Sequence, residues 1–103
     1  MRWPWLMPQH DFAHLYSHYP AIIAMMPDMF TSHEFILKLA QQNQRLYIEA
    51  LNDYPTALAP FRQVHAVLSQ RLHSFPTLVR PLGSVASPDI FGESVECAKW
   101  QKL

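Results

Sequence analysis

Residues 60–75, PFRQVHAVLSQRLHSF, run almost directly into residues 78–100, LVRPLGSVASPDIFGESVECAKW. At 100° per residue, Phe61, Val64, Leu68, Leu72 and Phe75 fall on one side of a helix, with His65 among them. Pro60 suits the first turn, where its missing N–H has no intrahelical partner to lose, and the helix is expected to stop before Pro76. Beyond residue 78 the helical period is gone. Residues 78–86 read as one or two extended pieces with Pro81 and Gly83 marking an edge or bulge, and residues 87–94 have turn chemistry. Val95 to Trp100 alternates as a returning strand would, so a C-terminal hairpin is expected. The two glycines of the chain, Gly83 and Gly92, both lie here, where tight turns or positive φ are needed.

Working towards the N-terminus, residues 32–53 carry Phe35, Ile36, Leu39, Ala40, Leu46, Tyr47, Ala50 and Leu51 in one helical phase, interrupted by Asn43. Ser32 can cap the Phe35 amide, and Glu34 favours the positive helix end. A break near Gln42 and Asn43 would give two helices, but an unbroken helix is the expectation. Leu37 and Ile48 lie three turns apart on a second side, which offers a homodimer surface together with the N-terminal segment. Residues 9–19 show Phe12, Leu15, Tyr16 and Tyr19 at helical spacing, and residues 20–27 form a second short helix with Pro20 at its first position. Met25, Met26 and Met29 are expected to fill core gaps. The division is an N-terminal helical extension over 1–30 and a domain over 31–103 in one globular unit.

Helices followed by a two-stranded hairpin with a long tip loop resemble the order of elements in a winged-helix domain, a likeness of element order over residues 31–103. The expected fold is α+β and winged-helix-like, mostly helical with a C-terminal β-hairpin. The resemblance implies that the helix at 60–75 enters the major groove and the hairpin tip meets flanking backbone. The outward side of that helix suits the role. Arg62 can pair with guanine, Gln63 or Gln70 with adenine, Ala66 allows a thymine methyl to approach, and Ser69 or His73 can reach phosphate. Residues 54–88 hold Arg62, Arg71 and Arg80 and no acid, so this stretch is +3 within a chain of net charge 0. Arg71 and Arg80 are expected near phosphate. Asp89 and Glu93 at the hairpin tip oppose that use, since two acids repel phosphate. Ile90 and Phe91 can instead cap the core, with Trp100 behind them.

Composition narrows the classes further. The chain of 103 residues is half apolar, 13% aromatic and 16% charged, enough for one core and too little charged for disorder. The single Cys97 allows no intramolecular disulfide and is read as a small buried hydrophobe, with a reducing, cytoplasmic location expected. Pro4 and Pro8 break the first apolar residues before a signal-peptide core can form, and AIIAMMPDMF (21–30) is too short to span a bilayer. No membrane association is expected. His10, His14 and His18 recur at i, i+4, i+8, yet one straight helix rarely gives three ligands to one ion and HxxxH lacks the Glu of a zincin, so no metal site or cofactor is expected. No nucleophile elbow or phosphate loop is present, and no enzyme is expected. The expectation is a small noncatalytic protein that binds double-stranded DNA or regulates transcription. The alternative is a protein-interaction or homodimerising adaptor using Trp3, Trp5, the Met-rich stretch and the Leu37/Ile48 side.

Overall fold

Thr31 starts the central helix. Its Oγ1 accepts the Glu34 amide at 3.1 Å, and the Glu34 carboxylate accepts the Thr31 amide at 2.8 Å, a reciprocal box that satisfies two otherwise orphaned donors. The cap therefore lies one residue before Ser32, which turns into the interior instead. The computed structural model describes residues 12–53 and 59–103. Among these the order is α1 (Ala13–Tyr16), α2 (Tyr19–Met25), β1 (Met29–Thr31), α3 (Ser32–Gln42), α4 (Gln44–Asn52), α5 (Pro60–Arg71), a 3₁₀ turn at Leu72–Ser74, β2 (Val79–Pro88) and β3 (Ser94–Lys102).

The architecture is a small mixed α+β domain in which the helices pack against a three-stranded antiparallel sheet of order β1-β3-β2. The expected hairpin is present as β2 and β3, and β1 adds a third strand that the sequence does not announce. In register, Phe30 lies opposite Trp100, and both are buried on the helix side of the sheet. A register shift between Pro81 and Gly83 leaves Leu82 as the extra residue of a bulge, and Gly83 takes φ +103° there. Gly92 takes φ +81° in the tip turn, where the Asp89 side chain accepts the amides of Phe91 and Glu93.

The long helix expected over 32–53 is broken at Asn43, which has φ −138° and ψ 56°. Its amide and its Nδ2 both bond the Leu39 carbonyl, and its own carbonyl accepts the Tyr47 amide. One residue thus closes α3 and opens α4, a local competition that Asn side chains win at helix ends. The straight-helix spacing of Leu37 and Ile48 no longer holds, although both remain exposed. The helix expected over 9–19 is shorter. It is interrupted at Ser17, whose hydroxyl donates to the His14 carbonyl, and residues 9–11 lie outside the described residues.

One core joins both ends of the described chain. Phe12, Leu15, Tyr19, Ile22, Ile23 and Met26 from the N-terminal segment share it with residues of α3, α4, α5 and the sheet. Of the three methionines assigned to core gaps only Met26 is buried, while Met25 and Met29 are more than half exposed. Cys97 is half-buried rather than internal. Among the described residues, no helix is long and apolar enough to cross a membrane.

Candidate nucleic-acid interface and the adjoining groove

α5 sits between the core and solvent because its sequence has two unlike sides. Val64 and Leu68 are fully buried, and Leu72 extends the stripe into the 3₁₀ turn. The Tyr19 hydroxyl fixes the helix by donating to the Leu68 carbonyl at 2.6 Å; burial, reinforced by Tyr16, holds that hydroxyl far above its ordinary pKa, so it stays a donor. Arg62, Gln63, Ala66 and Gln70 of α5 and His73 just beyond are all exposed. They form the stripe that helical spacing indicates, with no acidic side chain along it.

The remaining sequence candidates are placed elsewhere. Ser69 is half-buried, and its hydroxyl donates to Ser32 Oγ at 2.6 Å. Ser32 Oγ also accepts the Trp100 indole N–H at 2.9 Å, so one buried serine joins α3, α5 and β3. The Arg71 guanidinium lies 4.3 Å over the Tyr16 ring while remaining exposed at the flank of α5. Arg80 stands opposite Gln101 on the sheet and bonds its side-chain oxygen. Gln101 adjoins the inward-facing Trp100, so strand alternation turns Arg80 and Gln101 to the sheet's other side. The His73 ring meets the Trp100 ring edge-on at 4.8 Å.

His65 is a paired, half-buried histidine at the edge of the groove, on the apolar side of the helix. Tyr47 Oη lies 2.6 Å from His65 Nε2. Burial pushes the Tyr47 hydroxyl up to about 12 and, together with His33 and against Asp89, pulls His65 down to about 4. Both shifts keep the pair neutral, so a single neutral hydrogen bond joins phenol and imidazole, its direction set by the tautomer of His65.

Between α5 and the far half of the hairpin lies a groove of about 550 Å³. Phe61, Arg62 and Ala66 line it from α5, Ile36 from α3, and Val95 to Ala98 from β3. Phe91 closes the tip end by meeting the Phe61 ring edge-on at 5.1 Å, yet it remains 65% exposed and does not seal the core. Asp89, Glu93 and Glu96 border the same groove, three carboxylates to the single Arg62 guanidinium. The interior bonds of Ser32, the pairing of Tyr47 with His65 and this groove have no local signal in the sequence, whereas Thr31 and Glu34 at capping-box spacing signal the observed cap.

Of the three histidines at i, i+4, i+8, His10 lies outside the described residues, while His14 and His18 are exposed on either side of the interruption at Ser17. Among the described residues, no three His, Cys, Asp or Glu side chains are grouped to hold a metal ion. Trp3 and Trp5 also lie outside the described residues. Comparison of the chain with protein-family models, curated proteins and solved structures found no match.

Proposed function

We propose that this is a small noncatalytic DNA-binding protein of winged-helix type that reads duplex DNA with α5. The observation that carries the reading is the exposed, acid-free stripe of Arg62, Gln63, Ala66, Gln70 and His73 on the helix directly before the hairpin. The order helix, strand, helices, hairpin and the sheet order β1-β3-β2 support it, because a winged-helix domain uses this connection to leave that helix outward. In this reading Arg62, Gln63 and Gln70 meet base edges, and His73 and Arg71 sit at the flank where phosphates pass. Ser69 supports the helix from inside, and Arg80, turned to the other side of the sheet, makes no DNA contact in this reading. Leu37 and Ile48, 46% and 62% exposed, offer an apolar contact for a second copy, which doubles a footprint that is modest in one chain.

The test is duplex binding followed by fluorescence anisotropy across a salt series. Binding should weaken steeply with salt, and Arg71→Ala should flatten the log–log slope by about 0.9, the release expected for one phosphate contact, whereas Arg62→Ala should cost about 1–3 kcal/mol and relax base preference. Salt-independent binding, or an unchanged affinity in Arg62→Ala, contradicts the reading.

A further inference from the structure

The middle strand of the sheet is covered on one side only in part. β2 pairs along the length of β3, whereas β1 meets only Lys99, Trp100 and Gln101. The Lys102 amide donates to the Asp28 carbonyl on the β1 side. Antiparallel alternation therefore turns the N–H and C=O of Trp100, Ala98 and Glu96 the same way. The chain leaves the sheet at Thr31 to enter α3, so among the described residues the backbone of Glu96 and Ala98 has no strand partner on that side. Five residues, Ser94 to Ala98, make an open edge about 13 Å long at ~3.3 Å per residue.

This edge differs from the other edge of the sheet. The outer side of β2 is blunted by Pro81, Pro88 and the bulge at Leu82, devices that discourage a further strand. Ser94, Val95, Glu96, Cys97 and Ala98 include neither proline nor lysine. Val95 to Ala98 of this edge line the groove together with Phe61 and Ala66 of α5.

We propose that the groove is a docking site for an extended, basic and apolar peptide segment of a partner protein, which adds to β3 in line with β1. The edge supplies the backbone donors and acceptors that such a strand pairs with, and the apolar wall receives its alternate side chains. The charge of the occupant follows from the rim: Asp89, Glu93 and Glu96 outnumber Arg62, so lysine or arginine side chains fit there and a phosphate backbone is repelled. A nucleic acid also lacks the amide ladder that the edge needs. Arg62 and Ala66 belong both to this groove and to the outward stripe of α5, so the two sites adjoin, but the peptide proposal does not rest on DNA binding.

The experiment is a titration of the ¹⁵N-labelled full chain with four probes: a short capped peptide alternating lysine and valine, its glutamate–valine counterpart, a version with proline at the central positions, and a duplex DNA. The basic peptide should shift the amides of Glu96 and Ala98 and slow their exchange with solvent, while the acidic and proline peptides should not. Glu96→Pro removes an N–H that faces the open side, so the fold survives and peptide affinity falls by about tenfold. Glu93→Lys leaves the backbone intact and should weaken the basic peptide through charge alone. Unshifted Ser94–Ala98 amides at millimolar basic peptide overturn the proposal. Equal binding of the proline peptide does so too, as does a duplex that moves these amides in place of the peptide.

Discussion

Ser32 shows how much one hydroxyl can hold together. It accepts the N–H of Trp100, which is almost wholly buried, and the hydroxyl of Ser69. Ser32→Ala leaves that indole N–H without its partner in the interior, and urea unfolding should show a loss of about 1–3 kcal/mol. An unchanged midpoint would mean that the bond contributes nothing. His65 gives a pH prediction with a definite sign. Its folded pKa, about 4, lies below the unfolded value, so the unfolded chain takes up the proton first. Its contribution is complete above about pH 6.5 and is lost as pH falls towards 4. Wild type should therefore lose stability relative to His65→Gln across that window; parallel stability profiles would reject the neutral Tyr47–His65 pair. The apolar side of its helix marks His65 as a satisfied histidine, but the partners of Ser32 and His65 are not legible in sequence. Ser32 and Trp100 are 68 residues apart and Tyr47 and His65 are 18 apart, so only the folded chain brings them together.

At the scale of elements, α5 and the hairpin are read directly from sequence because their signals are local. Pro60 fixes a helix start, Val64, Leu68 and Leu72 keep one phase, and Gly83 and Gly92 mark the positions of positive φ. β1 is not legible: three residues carry no measurable period, and pairing with β3 nearly seventy positions away makes them a strand. The break at Asn43 is half legible, since polar residues interrupt the stripe but only the side-chain bond to Leu39 decides that the helix ends. Thr31 links two elements, capping α3 and placing its hydroxyl 3.2 Å from Ser87 Oγ on β2. Thr31→Ala should cost about 1–2 kcal/mol in chemical denaturation, and a loss near zero would remove the cap from the forces that seat α3. Gly83→Ala meets no atom within 4 Å, so any loss comes from φ alone. It should destabilise by about 1–3 kcal/mol, and a neutral result would show that the bulge relaxes.

Across the whole molecule, charge is sorted although the total is zero. The outward side of α5 carries no acid, whereas the neighbouring groove carries three carboxylates beside an open strand edge. Sequence counting detects the first feature, because residues 54–88 contain Arg and no acid, but it cannot show that Arg80 and Arg62 leave the fold on different sides. In the proposed reading the helix meets duplex DNA and the groove a basic strand. The most direct measurement is duplex affinity at low salt for wild type, Gln70→Glu and Gln101→Glu, each checked for an unchanged fold by circular dichroism. A carboxylate at position 70 enters the acid-free stripe and should abolish binding, while one at position 101 lies beside Arg80 on the other side of the sheet and should leave affinity near wild type. Equal affinity for wild type and Gln70→Glu would show that DNA does not meet α5.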